Sequence, residues 1–284
     1  MSRTAYVNGS YVSHANAHVH IEDRGYQFAD GVYEVIAVQG GRLIDSAPHH
    51  ERLERSLDEL KIARPMSRTA LDIVLNETVR RNRVKEGIVY LQVTRGVAKR
   101  DHAFPKTSVR PAIVVTARPM KAHAPEVISK GVSVITTPDI RWSRCDIKSV
   151  SLLPNCLAKQ LAKDAGAFEA WQVDQDGFIT EGTSTNAWIV DEHGNLITRQ
   201  LENAILSGIT RLVLIDFAHQ HQIAVIERKF SVSEAVAASE AFLTSTTSFV
   251  MPVVAIDGRQ IGEGIPGPTT EKLREIYDKH LNAE

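Results

Sequence analysis

The sequence predicts two α+β domains, and three observations predict them. Its 284 residues amount to roughly two domains at about 150 residues each. β-branched runs alternate along the chain with apolar stripes at helical spacing. Between Arg118 and Pro125 the pattern lapses over a stretch with two prolines. That stretch reads as a linker dividing a smaller domain of residues 1–120 from a larger one of residues 121–284.

In the first domain, residues 6–12 read as a hairpin turned by Asn8–Gly9, a pair that accepts the positive φ of a tight turn. Residues 32–38 are a β-branched strand closed by Gly40–Gly41. Pro48 suits the first turn of a helix that Leu53, Leu57 and Leu60 continue. Ser67 caps a second helix with the stripe Leu71, Val74, Leu75, Thr78 and Val79. Strands at 88–94 and 112–117 complete the domain.

In the second domain, residues 132–136 are strand-like and 155–165 helix-like, stopped by Gly166. Strands at 168–173, 178–180 and 187–190 are separated by turns at Asp176–Gly177 and His193–Gly194–Asn195. Residues 209–219 form an apolar-striped helix, and Ser231 with Glu234 forms a capping box for the next one. Strands at 242–246 and 253–256 follow, the latter closed by Asp257–Gly258. Leu273, Ile276, Tyr277 and Leu281 mark a last helix.

The 33 Lys and Arg residues nearly balance the 34 Asp and Glu residues, so no basic excess points to nucleic acid or an anionic membrane. With 43% hydrophobic and 24% charged residues the composition is that of a globular chain. Cys145 and Cys156 are too few for a disulfide framework, which suggests a reducing compartment, the cytoplasm. No apolar leader is expected at the N-terminus, and the most apolar stretch, 249–256, is short and broken by Pro252, so no membrane span is expected.

Three segments suit an anionic ligand. Ser207–Gly208–Ile209–Thr210 opens a helix whose first N–H groups lack partners and lie at the positive end of its dipole, a phosphate-binding geometry. Residues 244–248 offer five hydroxyls at a strand end, and Thr183, Ser184, Thr185 and Asn186 form a second polar cluster. Capping and turn roles explain each of them alone. Lys148, between Ile147 and Val150, suits a partly buried amine able to attack aldehydes, or else an exposed strand lysine with its head in water. Glu181 is placed to pair with a protonated ring nitrogen, or is a loop charge. Arg100 and His102 lie in a basic loop suited to a carboxylate. Arg52 reads as a helix-surface salt bridge to a neighbour such as Glu51, or as a phosphate contact. The histidine pairs show no metal-ligand spacing, so no metal is expected, and no Walker, dinucleotide or nucleophile-elbow motif occurs.

Five segments in order then carry a family resemblance: residues 23–34 (DRGYQFADGVYE), 139–149 (DIRWSRCDIKS), 181–186 (EGTSTN), 207–211 (SGITR) and 244–247 (TSTT). Together they resemble the fold-type IV, branched-chain-aminotransferase-like pyridoxal-phosphate enzymes over essentially the whole chain, and among them the D-amino-acid aminotransferases. The resemblance implies a two-domain fold with pyridoxal 5'-phosphate at the domain interface. It makes Lys148 the lysine that bonds the cofactor and Glu181 the carboxylate at its ring nitrogen. Arg52, Ile209, Thr210 and Thr246 would hold the phosphate, with Ser184, Thr185, Leu206, Gly208 and Ser245 also at the cofactor. Tyr33, Arg100 and His102 would trap the substrate carboxylate, with Val35, Ser184, Thr246 and Thr247 lining the substrate side. Arg100 and His102 would come from the second subunit of a homodimer. The implied reaction is ping-pong transfer of an amino group from D-alanine or D-glutamate types of donor to 2-oxo acids such as 2-oxoglutarate or pyruvate. Its alternatives are a branched-chain L-aminotransferase, an (R)-amine transaminase, an aminodeoxychorismate lyase or a non-catalytic phosphate-ligand module. Ala29, Thr183 and Ser207 depart from the commoner Gly, Ser and Lys of the family.

Overall fold

Asn8 and Gly9 take φ of 47° and 106°, which turns β1 (Thr4–Val7) back as β2 (Ser10–Ser13). The computed structural model describes residues 3–283. They divide into one unit of residues 3–121 with Ile147–Ser151 and another of residues 122–146 with 152–283.

The first unit also contains α1 (Arg24–Phe28), β3 (Gly31–Gln39), β4 (Arg42–Leu43), α2 (Ser46–Glu59), α3 (Arg68–Asn82), β5 (Gly87–Thr94) and β6 (Ala112–Pro119). Its sheet has the order β2-β1-β6-β5-β3-β4, all antiparallel. Alternation assigns the two faces. Val32, Ile36, Val89, Leu91, Val93 and Val115 pack with Leu53 and Leu57 of α2 and Leu71, Leu75 and Val79 of α3. Tyr33, Val35, Tyr90, Gln92, Val114 and Thr116 lie on the other face and are only half-buried.

Helix α1 carries no apolar period, and the sequence reading has no helix there. Asp23 caps it by accepting from the Gly25 N–H, and Ala29 ends it at φ 56°. That is the left-handed conformation a glycine takes most easily, which accounts for glycine being the commoner residue there. The linker is shorter than expected. Arg118 and Pro119 still pair with Ile88 and Gly87, and Pro125 already opens a helix, so only residues 120–124 connect.

The second unit contains α4 (Pro125–Lys130), β7 (Val132–Pro138), α5 (Leu153–Asp164), β8 (Glu169–Val173), β9 (Ile179–Gly182), β10 (Asn186–Val190), β11 (Leu196–Thr198) and α6 (Ile209–Gln220). Then follow β12 (Val225–Glu227), α7 (Val232–Ala237), β13 (Glu240–Ser245), β14 (Phe249–Ile256), β15 (Arg259–Gln260) and α8 (Pro268–Ala283). The sheet runs β12-β11-β10-β13-β14-β7-β8-β9, with β15 on β14. β7 and β8 are parallel through the α5 crossover, and β11 and β12 through α6. Trp171, Ile179, Ile189, Phe230, Leu243, Met251 and Ile256 fill its core.

Two expectations change here. β14 runs straight through Pro252, which faces Phe242 on β13, while its other neighbour β7 begins only at Val132 opposite Val253. The missing N–H of Pro252 therefore costs no bond to β7. Only half of the capping box forms. The Glu234 N–H donates to Ser231 Oγ at 3.1 Å, but the Glu234 carboxylate pairs with Arg228 instead.

Candidate functional site

In the first unit the half-buried sheet face gathers around Lys148. β4 covers β3 only at Val38 and Gln39, leaving Gly31–Tyr33 an open edge that the chain fills on its return. Ser149 bridges Val32, the Tyr33 N–H donates to the Lys148 carbonyl at 3.0 Å, and the Val150 N–H donates to that of Gly31 at 3.1 Å. The Lys148 N–H donates to Ser56 Oγ at 3.3 Å. Lys148 is half-buried rather than solvated, its Nζ 4.3 Å from the Tyr33 ring centroid.

Tyr33 stacks on Tyr90 with ring centroids 5.8 Å apart, and the Tyr90 hydroxyl donates to Gln92 Oε1 at 2.7 Å. Burial, helped by Tyr33, pushes the Tyr90 phenol up to about 12, so it stays protonated. Tyr90 and Gln92 face Val35 and Tyr33 across the ladder. The sequence reading passed over both, although their parity within the 88–94 strand sets them apart from Val89, Leu91 and Val93.

On the other face of β3 the Arg52 expectation is corrected. Its salt-bridge partner is Glu34 on β3 rather than Glu51 beside it: Nε and Nη2 donate to the two carboxylate oxygens at 2.8 and 2.7 Å. His49 Nδ1 lies 2.7 Å from Glu34 Oε2. Burial works to raise the Glu34 pKa, but the charge and hydrogen bonds of Arg52 and the contact with His49 hold it far below the usual carboxylate range. Burial, with the charges of Arg52 and Lys148, lowers the His49 pKa against the pull of Glu34.

Arg100 and His102 are exposed and pack on Phe28, Arg100 Cζ 4.6 Å and the His102 ring 5.4 Å from the Phe28 centroid. Among the described residues no contact joins either of them to Tyr33 or Lys148.

In the second unit the buried Glu181 carboxylate at the end of β9 is held by donors from three directions. Arg141 pairs with Oε1, while Asn186 Nδ2 and the Leu206 N–H donate to Oε2 at 3.0 and 3.1 Å. Arg141 is itself fixed by Asp139 at 2.9 and 2.6 Å and donates to the Ala204 carbonyl at 3.0 Å. Burial works against its charge, but Asp139 and Glu181 keep it a cation. Burial pushes the neighbouring Cys145 thiol up to about 12, so it is no nucleophile at neutral pH. Arg141 lies in the 139–149 segment, forty positions before Glu181, and only the fold brings the two together.

Asn186 also donates to the Leu206 carbonyl at 3.0 Å, and a Cβ on Gly208 would meet Asn186 Oδ1 at 2.0 Å. Gly208 is thus required by close approach, and it caps α6 without any side-chain bond to the first turn, where Ile209 and Thr210 are buried. Thr244 pairs with Asn186 across β13 and β10, so the hydroxyl run Ser245, Thr246 and Thr247 emerges beside it, with Ser245 Oγ 3.3 Å from Thr247 Oγ1. The turn holding Thr183, Ser184 and Thr185 is tied to the fully buried Glu169, whose Oε1 accepts from Thr183 Oγ1 at 2.6 Å.

These groups match the parts of pyridoxal 5'-phosphate. Within the second unit, a helix start without a side-chain cap suits the phosphate and a pre-oriented carboxylate suits the ring N–H; within the first, the half-buried amine suits an aldehyde. Among the described residues, no three His, Cys, Asp or Glu side chains gather as a cation site, and no helix is long and apolar enough to cross a membrane.

The sequence family described as Amino-transferase class IV matches residues 31–256. A D-alanine aminotransferase of Staphylococcus aureus (strain MSSA476) is 38% identical over 278 residues, 98% of each chain. One from Bacillus licheniformis is 39% identical over 277 residues, covering 98% of this chain and 96% of its own. Among solved structures, a T.th. branched-chain amino acid aminotransferase with pyridoxamine 5'-phosphate superposes with a TM-score of 0.90 at 26% identity, over 100% of this chain and 95% of the other. The 4-amino-4-deoxychorismate lyase of Pseudomonas aeruginosa gives a TM-score of 0.83 at 25% identity, over 97% and 98%.

Proposed function

The chain belongs to the class IV amino-transferases, pyridoxal-phosphate enzymes, and on that premise we propose that it transaminates D-amino acids with 2-oxo acids. The observation that carries this is the 38–39% identity, over 98% of the chain, with proteins named D-alanine aminotransferase. The branched-chain enzyme, at 26% identity, is the more distant relative in sequence.

The bound cofactor supplies an aldehyde to take up the amino group and a cationic ring that draws electrons from the substrate α-carbon. Lys148 Nζ would hold the cofactor through its aldehyde and, as a free amine, would carry a proton between the substrate α-carbon and the cofactor side. Glu181, its plane set by Arg141, Asn186 and the Leu206 N–H, would accept the ring N–H and keep it protonated. Arg52, Gly208, Ile209, Thr210 and Thr246 hold the phosphate, and Ser184, Thr185, Leu206 and Ser245 border the cofactor. Tyr33, Arg100 and His102 bind the α-carboxylate, so positioning decides which face of the α-carbon meets the base. Val35, Ser184, Thr246 and Thr247 meet the rest of the substrate.

Arg100 and His102 serve the partner site of a homodimer, a reading supported by their packing on Phe28 away from Tyr33 and Lys148. Two free thiols, Cys145 and Cys156, fit a reducing compartment, and we infer a cytoplasmic enzyme.

The test is the amino donor. With 2-oxoglutarate as acceptor, D-alanine should react and L-alanine and L-leucine should not; a preference for L-leucine would assign the branched-chain reaction instead. Lys148→Ala should lower kcat by about 10⁴-fold or more. It should also abolish the covalent trapping of the cofactor by borohydride.

A further inference from the structure

The loop bearing Arg100 and His102 is held by groups to which no part of the reaction has been assigned. Arg24, at the start of α1, is 2% exposed. Its Nε donates to Asp30 Oδ2 at 2.8 Å. The rest of its guanidinium goes to backbone: Nη1 donates to the Asp101 carbonyl at 2.5 Å and the Ala103 carbonyl at 3.4 Å, and Nη2 to the His102 carbonyl at 3.4 Å. One buried cation thus takes three successive carbonyls of the turn that carries Arg100 and His102. Asp30 also accepts from Arg95 at 2.7 and 2.9 Å, and Arg95 lies 3.7 Å from the Phe104 centroid, closing the far end of the loop. On the last turn of α1, Phe28 receives Arg100 and His102 on its ring. The Arg24 N–H donates to the Gly96 carbonyl at 2.9 Å and Asp23 bridges Val97, so α1 and the root of the loop are joined as well.

We infer that Arg24 and Phe28 are positioning residues for carboxylate recognition: Arg24 fixes the backbone of residues 101–103, and Phe28 is the shelf on which the Arg100 and His102 side chains take their binding pose. A planar fork with five fixed donors suits this task, and a lysine, with three donors on one point charge, cannot serve Asp30 and the three carbonyls together. The inference rests on the proposed role of Arg100 and His102.

The experiment is a double-mutant cycle on the holoenzyme with D-alanine. Arg24→Lys, which keeps the charge beside Asp30, should raise KM about tenfold, the loss expected when a charge-assisted contact is loosened. Retention of pyridoxal phosphate on gel filtration should stay unchanged. Arg100→Ala should raise KM more, and adding Arg24→Lys to it should raise KM by clearly less than tenfold, because only the His102 share of the loop is then left for Arg24 to position. A KM unmoved by Arg24→Lys, or effects that multiply in the double variant, overturn the inference while leaving Arg100 in place. An Arg100→Ala enzyme with unaltered KM removes the carboxylate reading itself. Should Arg24→Lys fail to fold, Phe28→Leu, at a half-buried position, runs the same cycle with the same expectations.

Discussion

Each unit contains an arginine gripping a buried carboxylate, Arg52 with Glu34 in the first and Arg141 with Glu181 in the second. In the first, Arg52 spreads both ends of its fork over Glu34, and His49 takes the same carboxylate from the side. In the second, Arg141 reaches Glu181 through one nitrogen only and spends the rest on Asp139, Thr180 and a carbonyl. Glu34 sits in mid-strand under α2, whereas Glu181 sits at a strand end, next to a glycine and the uncapped start of α6. Burial and a guanidinium partner therefore do not by themselves distinguish a carboxylate that locks the fold from one that, as proposed for Glu181, faces a cofactor. Place in the fold does.

Substitutions should separate the two. The largest effect is expected from Glu181→Gln, which keeps the shape but gives up the charge at the ring nitrogen: kcat should fall by about 10³-fold, with the melting temperature little changed. A near-wild-type kcat would put both carboxylates in the same structural class. Glu34→Gln comes next and should act on stability, because it leaves the Arg52 guanidinium buried without its counter-charge, at a cost of about 3–5 kcal/mol. That corresponds to a drop in Tm on the order of 10 °C. A simultaneous loss of pyridoxal-phosphate affinity would sharpen the contrast, showing that the Arg52 fork serves phosphate and fold together.

The smallest effect is acid sensitivity. The folded pKa values of Glu34 and His49 both lie below their ordinary values, so the unfolded chain binds protons that the folded chain refuses. Stability is then complete above the unfolded histidine value, about 6.5, begins to fall below it through His49, and falls further below about 4.3 through Glu34. Urea titrations from pH 7.5 to 4 should show this decline. A His49→Gln variant should remove its first part; an identical decline in that variant would exclude His49 as the source.

Legibility followed distance along the chain. The long elements were readable because burial repeats within one strand or helix, as in β3, α3 and α6. Lys148, Glu181 and the Gly208 helix start stood out through the residues that flank them in the chain, not through the distant partners that surround them in the fold. Pairings across elements were not readable. Nothing near Arg52 in sequence names Glu34, and Arg141 and Glu181 lie forty positions apart. β11 and β12 are three residues each, too short to display a period, and are held by pairing, β11 between β10 and β12 and β12 along β11. Helix α1 is held by a cap and a loop rather than by an apolar stripe, which is why Arg24 and Phe28 escaped notice.

The return of Ile147–Ser151 to the edge of β3 bears on how the chain matures. Synthesis completes the six strands of the first sheet with Pro119, yet the partners of Gly31 and Tyr33 on the open edge of β3 are still unmade. The nascent first unit must wait, one margin unsealed, until translation has moved some thirty codons on. The residue that closes the gap is Lys148, so the same five residues finish the scaffold and deliver the amine.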